Sequence, residues 1–242
     1  MTPLTVVTGG GRGIGAATVR QLADAGHDVV FCYRRDAEAA DAVLREVTAA
    51  GRRGLAVRAD TTDPDQVERL FDQVATLGEP TGLVNNAGVT SPIGPFEELT
   101  LADLRRVVDV NLIGYVLCAQ QAARRFPSGG AIVNVSSAAA TLGSPGEYVH
   151  YAAVKAATDA LTVGLAKELA RKGIRVNAVA PGTIDTEIHT ISGVPDRAQR
   201  VASRIPLGRA GRADEIAAAI VWLLGDGASY TTGAVLRVAG GM

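Results

Sequence analysis

The chain has little of what marks a secreted, membrane-spanning or nucleic-acid-binding protein. It contains two cysteines, Cys32 and Cys118, both in apolar segments, so we expect buried free thiols and no disulfide framework. No apolar run approaches the roughly 20 residues of a membrane-spanning helix. Because 24 basic residues are balanced by 25 acidic ones, the composition excludes the strongly basic surface that nucleic acids or anionic membranes attract.

The chain also lacks internal repeats, low-complexity tracts and linkers. The first strand-like run starts within a few residues of Met1, which leaves no room for a signal peptide, so a cytoplasmic location is expected. Apolar residues make up 47% of the chain and glycines number 28, enough for one large core and many tight loops. We therefore predict one domain over residues 1–242.

Strand-like runs alternate with helical periods along the whole chain. This alternation is typical of a parallel sheet covered by helices on both faces. With right-handed crossovers it predicts an α/β fold with a doubly wound, seven-stranded parallel sheet. The predicted strands lie near residues 3–8, 28–33, 54–59, 81–85, 130–136, 174–180 and 233–238, and the predicted helices near 13–25, 37–50, 64–77, 101–126, 149–172 and 213–224.

A glycine-rich loop follows the first strand-like run. The sequence T-G-G-G-R-G-I-G at 8–15 stands between that apolar run and a helical stretch. Glycines let the backbone turn tightly and let a pyrophosphate approach the free N–H groups at the start of the helix. The spacing is G-x-x-x-G-x-G rather than the commoner G-x-G-x-x-G. We predict dinucleotide binding here, through Gly9, Arg12, Gly13, Ile14 and Gly15.

Polar residues follow two further predicted strands. Asn85-Asn86-Ala87-Gly88 comes directly after Gly82-Leu83-Val84, and Ser136-Ser137 comes directly after the apolar run 131–135. Open α/β sheets bind their ligands at the carboxyl ends of the strands. Both groups are therefore predicted to face a ligand.

Tyr151 and Lys155 stand four residues apart in Y-A-A-V-K, a spacing that puts both on one face of a helix. A phenol near its reference pKa of about 10 is a weak proton donor at neutral pH, and a fixed cation beside it lowers that pKa. The pair therefore predicts proton transfer to a carbonyl oxygen, although the same spacing also occurs on solvated helix faces.

These motifs follow one another in a fixed order: T-G-x-x-x-G-x-G, N-N-A-G, a strand-end serine and Y-x-x-x-K. In that order the whole chain resembles the short-chain dehydrogenase/reductase family in its compact form, and within it the 3-oxoacyl-carrier-protein reductases and the sugar or steroid dehydrogenases. The resemblance implies a Rossmann fold. It also implies hydride transfer between a nicotinamide cofactor and a ketone or secondary alcohol, with no metal.

The resemblance implies roles for single residues. Ser137 and Tyr151 would bond the substrate oxygen, Tyr151 would supply the proton, and Lys155 would hold the ribose hydroxyls. Asn111 would bend the predicted helix 101–126 and hold a water connected to the lysine. The other implied cofactor contacts are Asp60 at the adenine, Asn86, Ala87 and Gly88 after the fourth strand, and Pro181, Gly182 and Thr183 at the nicotinamide carboxamide.

Several of these assignments have a plainer alternative. Ser137 precedes Tyr151 by one residue more than the family pattern, so either Ser136 or Ser137 can face the substrate, and Tyr148 is a rival for the phenol. Asn111 can also be a satisfied interior polar residue. Asp60 can be a plain cap or turn residue, and Pro181-Gly182 can simply be a turn.

The end of the second predicted strand bears on cofactor choice. An NAD enzyme normally places a carboxylate there, against the ribose hydroxyls. This chain instead has Tyr33 followed by Arg34 and Arg35. Arg34 can clamp the 2′-phosphate of NADP and Arg12 can add a second cation, so NADP is favoured over NAD. The two arginines can also be a solvated helix start, and Asp36 is expected to cap that helix rather than bind ribose.

Substrate contacts are expected from a mobile lid at 183–204. Its candidate contact residues are Ile184, Ile188, His189, Ile191 and Val194. Two other functions stay open: an NAD-preferring sugar or alcohol dehydrogenase, and a non-catalytic dinucleotide-sensing protein. An epimerase or dehydratase of the longer relatives would need a larger substrate domain than 242 residues allow.

A homodimer or, preferably, a homotetramer is expected from two helices together with the resemblance. The predicted helix 149–172 has one side made of small residues, which lets another helix approach closely. The predicted helix 101–126 offers more apolar surface than one sheet face covers. The residues concerned are Ala152, Ala153, Ala156, Ala157, Ala160 and Gly164 in the first helix and Leu104, Val107, Val108, Leu112 and Tyr115 in the second.

Overall fold

The computed structural model describes residues 2–191 and 193–242, and for His189 and Ile191 it describes the backbone alone. The contacts predicted for those two lid side chains therefore lie outside the described part of the chain. The strands are β1 (Leu4–Thr8), β2 (Asp28–Tyr33), β3 (Gly54–Arg58), β4 (Gly82–Asn85), β5 (Ala131–Val135), β6 (Arg175–Pro181) and β7 (Val235–Val238). The helices are α1 (Gly13–Asp24), α2 (Ala37–Ala49), α3 (Pro64–Ala75), α4 (Leu101–Val108), α5 (Gly114–Arg125), α6 (Ala139–Leu142), α7 (Val149–Leu169), α8 (Ile188–Ile191), α9 (Arg197–Val201) and α10 (Ala213–Leu224).

The seven strands form one parallel sheet in the order β3-β2-β1-β4-β5-β6-β7, as predicted. The chain winds outward from β1 to β3, returns to pair β4 with β1, and then winds the other way. A crevice forms at the carboxyl ends of the strands where this direction reverses. The glycine loop after β1 and the N-N-A-G segment after β4 therefore lie side by side.

The core lies on both faces of the sheet. Neighbouring residues of a strand point to opposite faces, so Val6 packs against α3, α5 and α7, whereas Val7 packs against α1, α2 and α10. All of β1, β4 and β5 is buried, as expected for strands covered on both sides. Cys32 and Cys118 are free and buried in the first of these cores, which confirms their prediction.

Two helices start at acidic caps, and the one at Asp36 confirms its prediction. Asp36 accepts a hydrogen bond from the backbone N–H of Ala39, at 2.9 Å, and begins α2. Asp63 accepts from the N–H groups of Asp65 and Gln66 and begins α3, with proline in its first turn. Among the described residues, no helix is long and apolar enough to cross a membrane.

The helix predicted over 101–126 is interrupted. Between α4 and α5 the chain forms a π-helical turn at Asp109–Ile113, with Asn111 buried inside it. A π turn inserts a residue into the helical ladder and changes the direction of the axis. This interruption agrees with the bend that the family resemblance implied. The short helices α6, α8 and α9, in the loops around the crevice, were not predicted from the sequence.

Candidate active site

In the glycine loop, backbone atoms pack directly against other backbone atoms. Gly9 and Gly13 have positive φ angles of 66° and 54°, which favour glycine. A Cβ on Gly15 would lie 2.1 Å from the carbonyl oxygen of Gly9. The side chain of Asn86 donates to the backbone oxygens of Thr8 and Gly9, at 2.9 and 3.1 Å. The glycine loop and the segment after β4 are thus joined into one wall of the crevice.

Gly15→Ala is expected to destabilise the protein by about 1–3 kcal/mol, because the new methyl meets a carbonyl oxygen that Asn86 holds in place. Urea unfolding measures the effect. Gly94→Ala is the matched control, since its methyl would come no closer than 3.7 Å to the Glu98 side chain. Equal stability of the two variants would contradict the close fit of the loop.

One cavity of about 840 Å³ runs along the crevice at the carboxyl ends of the strands. Every residue predicted to be catalytic or to bind the cofactor lines it except Gly15. Of the predicted lid contacts, Ile184 and Ile188 line it and Val194 does not. At one end are the glycine loop and the charged residues after β2 and β3. At the other end are the predicted catalytic residues and the 183–204 segment, with Ile184, Ile188, Arg197, Val201 and Arg204 on its wall.

Two arginines of the cavity wall are held by carboxylates. Arg34 Nε lies 2.9 Å from Asp60 Oδ2, and Asp60 also accepts from the backbone and hydroxyl of Thr62. Arg12 Nη1 lies 3.6 Å from Glu187 Oε2, which links the glycine loop to the 183–204 segment. Asp60 is therefore both a turn residue and the partner of Arg34.

Asn111 connects the π turn to the chain after β4. Its side-chain Nδ2 donates to the carbonyl oxygens of Val107 and Val89, both at 2.9 Å, and its Oδ1 accepts from Val89 N–H at 3.3 Å. The Asn111 carbonyl accepts from the Thr158 hydroxyl of α7 at 3.5 Å. The side-chain amide of Asn111 is thus hydrogen-bonded within the protein, and its role in holding a water stays a prediction.

The two serines after β5 have different surroundings. Ser136 is buried, and its hydroxyl donates to the Lys155 carbonyl oxygen at 3.3 Å. Ser137 lies close enough to the Tyr151 hydroxyl to lower the Tyr151 pKa, and its Oγ accepts from Ala139 N–H at 3.1 Å. Of the pair, Ser137 is the one beside the phenol.

The prediction that Lys155 lowers the pKa of the Tyr151 phenol is wrong for this structure. Burial, and secondarily Tyr148, raise the Tyr151 pKa above its ordinary value, and only the hydrogen bond from Ser137 opposes this. The Lys155 Nζ donates to the Val135 carbonyl oxygen at 2.8 Å and lies 5.6 Å from the centre of the Tyr151 ring. Burial also lowers the Lys155 pKa to about 7, although the nearby Asp159 carboxylate raises it. The same desolvation therefore disfavours the charged form of Lys155, which was expected to lower the Tyr151 pKa.

The prediction that Tyr115 contributes exposed apolar surface to subunit assembly is wrong. Tyr115 is buried, and its hydroxyl accepts from Lys155 Nζ at 3.3 Å and donates to the Val135 carbonyl at 3.1 Å. Val107 is also buried, and Leu104, Val108 and Leu112 are half-buried. The helices 101–125 therefore offer less free apolar surface than predicted.

Comparison with known proteins decides the family. The family model described as enoyl-(acyl carrier protein) reductase matches residues 9–242. A short-chain dehydrogenase from Burkholderia cenocepacia, solved in complex with NADP, superposes with a TM-score of 0.93 at 38% identity, over 99% of this chain and 97% of that one. The chain belongs to the short-chain dehydrogenase/reductase family.

Relatives in the short-chain dehydrogenase/reductase family match over nearly the full length. An uncharacterized oxidoreductase of Escherichia coli is 48% identical over 98% of this chain and 99% of its own. The cis-4-hydroxycyclohexanecarboxylate dehydrogenase of Sinomonas cyclohexanicum is 45% identical, over 98% and 95%. A 3-oxoacyl-(acyl-carrier-protein) reductase of Staphylococcus aureus is 37% identical, over 100% and 98%. The chain is an oxidoreductase of this family.

Proposed function

We propose that this oxidoreductase uses NADP(H) to interconvert a ketone and a secondary alcohol, with Tyr151 as the proton donor and acceptor. The observation that carries the proposal is that Ser137, Tyr151 and Lys155 line the same cavity as the glycine loop. One cavity thus offers a dinucleotide cradle at one end and a proton donor at the other.

The residues around the crevice fit a dinucleotide. The glycine loop presents backbone without side chains at the start of α1, where a pyrophosphate finds N–H donors and the positive end of the helix. Arg34 and Arg35 line the cavity beyond it, where an adenosine 2′-phosphate would need cations. Pro181, Gly182 and Thr183 line the opposite end, where we place the nicotinamide ring. The bound nicotinamide supplies or accepts the hydride.

Side chains of the protein donate and accept the proton. Ser137 and Tyr151 both donate to the substrate oxygen, which fixes the carbonyl at the phenol. Burial keeps Tyr151 protonated until negative charge develops on that oxygen. Its proton then passes to the oxygen, and Ser137 keeps its hydrogen bond to that oxygen. Lys155, four residues further along α7, is available for the ribose hydroxyls, and we assign to Asn111, on the same cavity wall, the water that returns the proton.

NADP is proposed over NAD because Tyr33 stands where an NAD enzyme has a carboxylate and is followed directly by Arg34. Arg34→Asp is expected to weaken NADPH binding by about 1.5–3 kcal/mol, the scale of a charged hydrogen bond, and to improve NADH relative to NADPH. Fluorescence titration with both cofactors measures the change. Arg45→Asp, the same charge change on an exposed residue of α2, is the control and should leave both affinities unchanged.

A wild-type protein that binds NADH as tightly as NADPH would contradict the assignment of Arg34 and would favour the NAD-preferring sugar or alcohol dehydrogenase. The substrate screen follows NADPH oxidation with acetoacetyl thioesters, diketones, quinones and sugars. It includes 4-oxocyclohexanecarboxylate, because a relative that is 45% identical is a hydroxycyclohexanecarboxylate dehydrogenase. It also includes an enoyl thioester, because the matching family model is described as an enoyl reductase. Turnover of the enoyl thioester alone would contradict carbonyl reduction.

We propose a homodimer or homotetramer built on α7. Ala153, Ala156, Ala160 and Gly164 are exposed along one face of this helix, and exposed Val163 stands beside them. Ala157, by contrast, is half-buried within the subunit. Small residues on an exposed face allow the same helix of a second subunit to approach closely. The cytoplasmic location and the lid at 183–204 stay predictions.

Ala160→Arg is expected to dissociate this assembly, because a long charged side chain stands in the middle of the small face. Light scattering at micromolar concentration measures the mass. Ala49→Arg, on an exposed position of α2, is the control and should leave the mass unchanged. A wild-type mass near a single chain of 24.9 kDa would contradict the proposed assembly.

A further inference from the structure

The loop between α6 and α7 meets the 183–204 segment at the cavity. Gly143, Ser144 and Gly146 in this loop all have positive φ angles. It ends with Glu147 and Tyr148, directly before α7. Both of these residues and Arg197 of α9 line the cavity.

Arg197 and Glu147 form a two-bond ion pair across this junction. Arg197 Nη1 lies 3.0 Å from Glu147 Oε1, and Nη2 lies 2.6 Å from Oε2. The Arg197 side chain is 13% exposed and the Glu147 side chain 28%, so water screens this pair less than an exposed one. The parallel geometry also fixes the angle between α9 and the loop.

The same arginine contacts the ring that packs on the catalytic tyrosine. The guanidinium carbon of Arg197 lies 5.5 Å from the centre of the Tyr148 ring. The Tyr148 ring in turn packs edge-to-face on Tyr151, with 5.3 Å between ring centres and an angle of 82°. A continuous line of contacts thus runs from Glu147 through Arg197 and Tyr148 to Tyr151.

We propose that Arg197 is a positioning residue for catalysis: its ion pair with Glu147 holds α9 closed on the cavity, and its contact with Tyr148 fixes the Tyr151 ring for proton transfer. This inference rests on the proposed function, because it requires Tyr151 to be the proton donor. Small displacements of a reacting group cost up to about 100-fold in rate. Loss of the Arg197 contacts should therefore lower kcat more than it changes cofactor affinity.

The test compares Arg197→Met with Arg200→Met, a neighbour in α9 whose side chain is 66% exposed and forms an ion pair with Asp196. We expect Arg197→Met to lower kcat by between about tenfold and about 100-fold, with the NADPH Kd within about twofold of wild type. Arg200→Met should keep kcat within about twofold. Tyr148→Leu, which removes the ring between Arg197 and Tyr151, should resemble Arg197→Met.

Two further measurements separate positioning from general destabilisation. The exchanged pair Glu147→Arg with Arg197→Glu should recover part of the kcat that each single change loses. Hydrogen–deuterium exchange in 193–204 should be faster in Arg197→Met than in Arg200→Met at equal thermal stability. A kcat for Arg197→Met within about twofold of wild type, or an equal loss in Arg200→Met, would overturn the inference.

The two proposals fail in different ways. If Tyr151→Phe is inactive and Arg197→Met is normal, the positioning role fails alone. If Tyr151→Phe keeps its activity, or the wild type reduces no carbonyl compound, the proposed function fails and the positioning role falls with it.

Discussion

Tyr151→Phe is expected to lower turnover by about 10²–10⁴-fold while the NADPH affinity stays within about twofold of wild type. The substitution removes the hydroxyl near Ser137 but keeps the ring that packs against Tyr148. The pocket is therefore preserved and only the proton donor is lost. Steady-state kinetics on the best substrate of the screen, together with an NADPH titration, measure the two quantities separately.

Tyr148→Phe is the control for this prediction, because it removes the rival phenol on the same cavity wall. Turnover by Tyr151→Phe within about tenfold of wild type would remove Tyr151 from the mechanism. If Tyr148→Phe were then the inactive variant, the proton donor would be Tyr148, and the spacing that departs from the family pattern would be the reason.

Lys155→Ala is expected to damage both turnover and cofactor binding, unlike Tyr151→Phe. Nζ is held at the Val135 carbonyl and the Tyr115 hydroxyl, inside the cavity where the ribose is proposed to lie. Loss of a charged hydrogen-bond donor there should weaken NADPH by about 1.5–3 kcal/mol. Turnover should fall by about 100-fold, because a ribose that has lost its contact with Lys155 no longer holds the nicotinamide in place, and misplacement of a reacting group costs about this much.

Lys167→Ala, at an exposed position of the same helix, is the control and should change neither quantity. Circular dichroism should show both variants folded, since Tyr115 keeps its bond to Val135 without the lysine. NADPH binding by Lys155→Ala at wild-type affinity would show that the lysine does not touch the ribose.

The parts of the site that could be predicted are those formed by residues that lie close together in the sequence. The glycine loop, N-N-A-G, the strand-end serines and Y-x-x-x-K each lie at the end of a strand or on one helix. A parallel sheet brings strand ends to one edge whatever the rest of the chain does. Hence the order of motifs was enough to predict that residues as distant as Arg12 and Thr183 line one cavity.

The parts that could not be predicted depend on contacts between distant residues. Tyr115 meets Lys155 across 40 positions, and Arg197 meets Glu147 across 50. Neither pair has a local pattern. The upward shift of the Tyr151 pKa could not be predicted for a related reason. Sequence spacing shows which charge is near, but it does not show the burial that desolvates both Tyr151 and Lys155.

The central claim is NADPH-dependent carbonyl reduction at the cavity of Ser137 and Tyr151. Its most direct test incubates the purified wild-type protein with NADPH and each carbonyl compound of the screen, and measures NADPH consumed and alcohol formed. We expect that at least one ketone is reduced, with one alcohol formed per NADPH consumed, and that NADH supports a lower kcat/KM than NADPH. NADPH that binds tightly but is consumed with none of the carbonyl compounds would contradict the account and would favour a dinucleotide-sensing protein.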